Sequence, residues 1–374
     1  MTRPHLLVLN ERDPENPRAG GAEVHLFEIL GRLARRGYPV TMLCAGFPGG
    51  AARVRIEGVE VERLGNRYTY YARVVGRYRR LARAVARPAL LVETLNKLPF
   101  YGPVYSPLPQ IAIVHHLFGR TAFRQVPFPI AAATWLAELG IPRVYRGVPM
   151  IAISPSTRDD LVARGVAPEQ VTVSPCGIDH ALYRPGGEVP SPTILALGRV
   201  EPYKRFDLAV AVMPRILAAV PDARLVIAGR GAAVPALERQ VDALGLRAAV
   251  ELTGFVADER KVALYRQARV FVNLSEKEGW GLTVIEAAAC GVPAVASNSP
   301  GLRDAVQHGR SGMLVPHGDA DAYAETVLRL LQDDEEWRRL RAGALAWAGT
   351  FDWDVAAAQA ETVIATGLAR GKPY

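Results

Sequence analysis

The sequence predicts an α/β protein built from two doubly wound, largely parallel sheets. Three observations carry that expectation. The chain has 374 residues, and at roughly 100–200 residues per domain this length suggests two domains. Short, nearly all-apolar runs alternate with helical patterns along most of it, the mark of parallel strands covered by helices on both faces. Near the middle, Pro185, Gly186, Gly187, Pro190 and Pro192 interrupt the alternation. The expected domains are therefore 1–184 and 185–352, with Tyr183–Pro192 as a hinge-like linker.

The elements follow in chain order. His5–Asn10 is a short apolar run. Gly20-Gly21 opens an amphipathic stretch with Val24, Phe27, Leu30 and Leu33 at helical spacing, and Gly37 stops it. Val40–Ala45 is the next strand, and Tyr71, Val74, Tyr78, Leu81, Ala82 and Val85 mark a second helix. Leu90–Thr94, Ile111–His115 and Ile151–Ser154 read as buried strands, after which Ser156 caps a short helix through Leu161. The second half places strands at Ile194–Leu197, Arg224–Ala228, Val250–Thr253, Val270–Leu274, Ala294–Ala296 and Met313–Val315. Sheets of this kind bind ligands beyond the carboxyl ends of their strands. Two of them face to face would make a cleft.

Composition narrows the function classes. With 49% hydrophobic and 22% charged residues, the chain can bury a core, which excludes a disordered protein. Cys44, Cys176 and Cys290 are widely spaced and form no C-x-x-C; this argues against a disulfide framework or a structural zinc site and fits a reducing cytosol. The apolar run Leu6–Leu9 is too short for a signal peptide. The longest stretch without a charged residue, Leu98–Gly119, is broken by four prolines and does not read as a membrane span. A cytoplasmic location is the expectation. The net charge of +8 favours anionic partners.

Three segments carry chemistry. In LSEKEGWGLTVIEAAACG, Leu274–Gly291, a strand end is followed by Glu278, Gly279 and Gly281, and a helix opens near Leu282 carrying Glu286. Free backbone N–H groups at a helix start suit a phosphate, and carboxylates accept hydrogen bonds from sugar hydroxyls. Either glutamate alone is an ordinary acid; the whole segment is harder to explain that way. In LGRVEPYKRFDL, Arg199 follows a strand directly and Lys204 precedes a helix, so the two cations can clamp a diphosphate. In Arg18–Glu23, Gly20-Gly21 between strand and helix offers a backbone cradle for anions.

Together these segments resemble family 4 of the retaining glycosyltransferases, which have the GT-B fold of two Rossmann-like domains facing across a cleft. The likeness runs in order through GGAEVHLFEILGRLARRGYPV, IAIVHHLF, VTVSPCGID, GRVEPYKRFD, EGWGLTVIE, AAACGVPAVAS and SGMLVP. It implies an enzyme that moves a sugar from a nucleotide-sugar to a saccharide, lipid-linked or small-molecule acceptor. UDP-sugars are the first expectation for the donor and GDP-sugars the second. By position, Arg199 and Lys204 would hold the diphosphate, Glu278 the donor-sugar hydroxyls and Glu286 the ribose. Backbone groups of Gly281 and Leu282, with Gly21, would complete the pyrophosphate site, and Val256 would contact the base. His115 would meet the donor sugar, with His116 one residue away as the alternative. The last helix, 353–374, would return to the first domain, with Trp353 as its anchor. Trp280 and Arg205 stand where the family more often has Phe and Gly.

The resemblance implies no cofactor and no metal, because cations and helix dipoles would stabilise the leaving diphosphate. Asp319-Ala-Asp321 looks like a metal-binding D-x-D, but it opens a helix and reads as a cap. A nucleotide-sugar epimerase of similar architecture is the alternative. A dehydrogenase lacks its fingerprint, since Gly229-Arg230-Gly231 is followed by Val234. A basic nucleic-acid-binding protein would explain the charge, but no recognised module is present, so nucleic acid is not an expected partner. Arg73, Arg77, Arg79, Arg80, Arg83 and Arg87 flank an apolar stripe that packs on the first sheet, with contact to an anionic membrane as an added role. Gln125–Ala137 reads as core or acceptor wall.

Overall fold

Side-chain alternation along the first strand decides how that part of the chain is covered. In a computed structural model, which describes residues 3–96, 98–186 and 191–370, strand β1 is His5–Leu9. Successive side chains of a strand point to opposite faces, and Leu6, Leu7, Val8 and Leu9 are all buried, so both faces need a cover. Leu6 and Val8 pack with Leu26, Phe27, Leu30 and Leu33 of helix Gly21–Arg35. Leu7 and Leu9 pack with Tyr70, Val74 and Tyr78 of helix Tyr70–Ala84.

The remaining strands of this sheet are β2 (Val40–Ala45), β3 (Arg53–Ile56), β4 (Val59–Leu64), β5 (Ala89–Leu95), β6 (Gln110–Val114), β7 (Met150–Ala152) and β8 (Val171–Val173). Their order is β3-β4-β2-β1-β5-β6-β7-β8, and β3 pairs antiparallel with β4 at one edge while the others run parallel. The last helix, Trp353–Arg370, adds Ala360, Val363 and Ile364 to the Leu6 face, as expected. Trp353 is buried there, its ring centroid 6.0 Å from that of His25.

The second sheet contains β9 (Thr193–Leu197), β10 (Arg224–Ala228), β11 (Val250–Gly254), β12 (Val270–Asn273), β13 (Ala294–Ser297) and β14 (Gly312–Val315). Its order is β11-β10-β9-β12-β13-β14, with all pairings parallel. The sheet grows one way from β9 and the other way from β12. The winding therefore reverses between these two strands, the place where such sheets leave a crevice for ligands.

The chain divides into two compact units, Met1–Gly177 with Trp353–Tyr374, and Ile178–Asp352. This boundary falls earlier than the expected 184/185. The reason is packing: Ile178 bridges to Asp352 and the Tyr183 ring lies 6.2 Å from that of Tyr265, so the segment belongs with the second sheet. Residues 187–190 of the expected linker lie outside the described residues. Strands β3, β4 and β8 were not anticipated. The cap of the helix after β7 is Ser154, not Ser156: its hydroxyl accepts from Thr157 N at 3.1 Å. Pro155 then takes the first helical turn, where its missing N–H is no loss.

A buried carboxylate organises the segment after β5. Glu93 is fully buried and accepts from Phe100 N at 2.6 Å, Gly102 N at 3.0 Å and the Tyr145 hydroxyl. Burial raises its pKa from the ordinary 4.5 to about 7, against the lowering effect of the Tyr145, Gly102 and Phe100 donors. The folded chain thus keeps a proton that the unfolded chain has released. That increment of stability is present below the unfolded value and is lost as pH rises through about 7. Relative to Glu93→Gln, the wild-type chain should lose up to about 3 kcal/mol over this window. Urea unfolding of both proteins at a series of pH values measures it; parallel curves would show that Glu93 has an ordinary pKa.

Candidate functional site

A cluster of polar side chains in the second unit lies where its winding reverses. Beyond β9 the chain passes through Arg199 and a short turn, Pro202–Lys204. Beyond β12 it passes through Ser275 and Glu278 to helix Leu282–Ala289. The Lys204 ammonium donates to Glu278 Oε1. Ser275 Oγ donates to the same carboxylate at 2.7 Å, and also lies 2.6 Å from Asn273 Oδ1. Burial works against the charge on Lys204, but Glu278 outweighs it, and the lysine pKa is raised. The lysine is therefore charged.

The loop carrying Glu278 is held by backbone contacts on either side. Glu276 N donates to Tyr203 O at 3.0 Å, and Glu278 N to Pro300 O at 3.0 Å. Gly301 makes that second contact sterically possible. Its φ is +81°, and a Cβ there would lie 2.3 Å from the Glu278 carbonyl oxygen.

Glu286 forms a separate cluster. Its carboxylate accepts from Tyr265 OH at 2.8 Å and from Lys261 Nζ at 3.3 Å, both on helix Asp258–Gln267. Burial opposes the charge on Lys261, and Glu286 with Asp258 overcomes it, so its pKa is raised. Burial and Glu286 likewise push the Tyr183 and Tyr265 hydroxyls up. Lys261, Tyr265 and Tyr183 are not legible as partners from the sequence, because no spacing links them to Glu286.

The other candidates lie around these clusters. Arg199 is exposed and donates to Tyr203 OH at 3.2 Å. Gly281 precedes the helix that Leu282 begins. Val256 is half-buried in the turn between β11 and helix Asp258–Gln267. Arg205, where the family more often has glycine, has φ +55°, in the left-handed region. Its guanidinium lies against Asp207 at 3.1 Å. The turn that favours glycine is thus kept by an arginine. Trp280 is buried against Phe351, ring centroids 5.2 Å apart. Asp319 accepts from Ala322 N at 2.9 Å and caps its helix.

Two candidates belong to the first unit. Gly21 starts helix Gly21–Arg35, and Glu23 reaches back to accept from Gly20 N at 2.7 Å. A Cβ built on Gly21 would meet nothing within 4 Å, so the local packing does not require glycine there. His115 is 2% exposed, with Nε2 3.2 Å from His25 Nδ1. Burial, with His25 and His116 beside it, holds its pKa well below the imidazole range; burial lowers that of His25 to about 4. Both rings are neutral, one donating to the other. The ring expected to meet a sugar thus faces the interior, and His116 at the same strand end is the half-exposed one.

A carboxylate met by a lysine, a second cation at the same strand end and a helix start can together bind a diphosphate and hydroxyl groups. Comparison with known proteins gives this chemistry a context. The model of Glycosyltransferase Family 4 matches residues 19–182, and that of Glycosyl transferases group 1 matches residues 185–347. A D-inositol 3-phosphate glycosyltransferase of Thermobispora bispora is 32% identical over 54% of this chain and 52% of its own length. The chain spans about half the length of the first such relatives it matches. A GDP-mannose-dependent alpha-(1-6)-phosphatidylinositol monomannoside mannosyltransferase of Mycobacterium tuberculosis is 26% identical over 95% of this chain and 96% of its own. The fold is that of sucrose-phosphate synthase from Thermosynechococcus elongatus, with a TM-score of 0.84, 22% identity and coverage of 98% and 100% of the two chains.

The contact between residue 301 and the Glu278 carbonyl gives a direct test of how the loop is held. Gly301→Ala combines a left-handed backbone with a clash and should lower stability by about 1–3 kcal/mol. A urea midpoint equal to that of the wild type would show that the loop has room for a methyl group.

Proposed function

Because this chain belongs to family 4 of the glycosyltransferases, we propose that it transfers a sugar from a nucleoside diphosphate sugar to an acceptor, with retention at the anomeric carbon. The observation that carries this reading is the Lys204–Glu278 pair at the reversal between β9 and β12. Both matched models are glycosyltransferase models, and they displace the epimerase alternative.

As the diphosphate leaves, negative charge grows on its oxygens and positive charge on the sugar ring. Lys204 and Arg199 offset the first, aided by backbone N–H groups at Gly281 and Leu282. Lys204 exchanges part of its bond to Glu278 for the phosphate, and the freed carboxylate turns to donor-sugar hydroxyls. Glu286 takes the ribose hydroxyls while Lys261 and Tyr265 hold it in place. Val256 offers its backbone to the base. The roles expected for Gly21 and His115 rest on the family resemblance. With this much fixed positive charge, turnover should need no divalent metal and no cofactor.

The mannosyltransferase that matches nearly full length is named for GDP-mannose, which brings GDP-sugars level with the UDP-sugars expected from the sequence. Both named relatives carry an inositol-containing acceptor in their names, so inositol phosphates and lipid-linked inositol saccharides head the acceptors to test. A thermal-shift panel of UDP- and GDP-sugars decides the donor. A true donor at 100 times its dissociation constant should add about 2.7 kcal/mol of stability. A chain stabilised by neither class would lose the reading.

Kinetics separate the roles. Lys204→Ala should lower kcat by ~10²–10³, the cost of removing one group that stabilises developing charge. Glu286→Ala should act mainly on donor KM, since a ribose contact is alike in ground and transition states. Circular dichroism checks that each variant is folded, and the wild type is assayed with EDTA. A folded Lys204→Ala enzyme with unchanged kcat removes the lysine from the mechanism; activity abolished by EDTA and restored by Mg²⁺ removes the metal-free scheme.

A further inference from the structure

The first sheet has a winding reversal of its own. Its order, β3-β4-β2-β1-β5-β6-β7-β8, grows one way from β1 and the other way from β5. A ligand crevice is therefore expected past the carboxyl ends of these two strands, within the first unit alone. The chain leaves β1 through Asn10, Glu11 and Arg12. Thr94 on β5 donates its hydroxyl to Asn10 Oδ1, and Ala45 at the end of β2 donates its N–H to Glu11 O at 2.9 Å. Ala45 pairs in turn with Leu64, the last residue of β4, and Asn66 and Arg67 follow. These contacts bring the ends of β1, β2, β4 and β5 to one edge.

Three arginines act on that edge. Arg12 donates to Arg18 O, and its Nη2 lies 3.6 Å from Glu11 Oε1. Arg18 and Arg67 are exposed, and the Arg67 guanidinium lies 4.4 Å over the Tyr68 ring. Burial raises the Glu11 pKa, and Arg12, Arg18 and Arg67 oppose that rise. Tyr71 lies beside them. Burial and Glu11 push its hydroxyl up, Arg12 works the other way, and its ring stacks on Phe100 with centroids 5.2 Å apart. The other carboxylates of residues 11–23 are engaged. Asp13 and Glu15 accept from Arg63 at 2.8 and 2.7 Å, and Glu23 accepts from Gly20 N. The carboxyl that the three arginines share is Glu11, and its own burial makes it costly to ionise.

We propose that this edge receives the sugar acceptor and that the acceptor is a phosphorylated polyol, its phosphate held by Arg12, Arg18 and Arg67 and a hydroxyl by Glu11. The inference rests on the transfer reading and deepens it. That reading reaches inositol compounds through the names of relatives, whereas here the side chains themselves call for a phosphate. A guanidinium fork matches phosphate oxygens two at a time. Three forks exceed what one carboxylate can take and suit a phosphate with its three terminal oxygens. An uncharged saccharide would use Glu11, which accepts from hydroxyls, and would give the arginines nothing to pair with. A soluble phosphate ester and the headgroup of a phospholipid share this chemistry, and binding separates them.

Isothermal titration of the full chain tests it, with UDP, with GDP and with neither, at one fixed ionic strength. Inositol 1-phosphate should bind at least about tenfold more tightly than inositol. Arg18→Gln and Arg67→Gln should each weaken the phosphate by about tenfold and leave inositol unchanged. Both positions are exposed, and circular dichroism verifies folding. Glycerophosphoinositol, the diester of a lipid headgroup, decides the source: binding tighter than that of the monoester assigns a lipid-linked acceptor, and the reverse order assigns a soluble one. Inositol 1-phosphate held no better than inositol in any of the three conditions overturns the proposal. So does a folded Arg18→Gln/Arg67→Gln chain that binds it as tightly as the wild type. A chain that answers a donor in the thermal-shift panel and fails here keeps the transfer reading and loses this site.

Discussion

A parallel strand must hand its chain to a covering helix, and the loop that does so leaves backbone N–H groups without partners. This protein meets that constraint with carboxylates placed beneath the loops. Glu23 receives Gly20 N; Glu93 receives Phe100 N and Gly102 N; Glu138 receives Phe118 N and Gly119 N. Asp13 takes both Arg63 Nε and Nη2 at 2.8 Å, with Cys44 Sγ 3.3 Å away. A carboxyl group has two oxygens and can accept from two backbone N–H groups at once, so irregular segments are fixed without a core of their own. The arrangement is sensitive in return: removing one partner leaves an uncompensated group in a place water does not reach.

In the second unit the same device takes a different partner. The two glutamates of EGWGLTVIE are each met by a lysine from elsewhere in the chain, Glu278 by Lys204 and Glu286 by Lys261. Burial opposes the charge on each lysine, yet both pKa values are raised, Lys204 chiefly by Glu278 and Lys261 by Glu286 with Asp258. Pairs of this kind gain little net stability, since desolvation consumes most of the attraction. They do hold charged side chains ready in one geometry. A ligand bringing phosphate oxygens or hydroxyls can then exchange hydrogen bonds with them at small cost.

The sheet strands of the second unit were legible because each is a short apolar run between helical patterns. The β3–β4 hairpin was not. Its turn is Glu57-Gly58, with φ +49° and +83°, a geometry usually announced by Asn-Gly or Asp-Gly. Its edge strand alternates exposed arginines with half-buried residues, so it carries little apolar signal. Strand β8 has three residues, too few for periodicity to register. The site divides the same way. Lys204 and Glu278 could be read because each lies in the short connection between a strand and the next helix. Lys261 and Tyr265 reach Glu286 only through the packing of one helix against another, and His25 meets His115 across 90 residues of chain. Contacts of that kind leave no mark on local spacing.

The first unit is closed by the last helix of the chain. Ala360, Val363 and Ile364 lie over the strand face formed by Leu6, Val8, Leu90, Val92 and Ile111, and the whole of Ile178–Asp352 is made in between. During synthesis on the ribosome, this apolar strip must therefore wait uncovered while the second unit emerges and folds. The order of translation is the reverse of the order of completion: the unit begun first is finished last. A nascent chain of this design offers chaperones an apolar surface until helix Trp353–Arg370 has emerged to cover it.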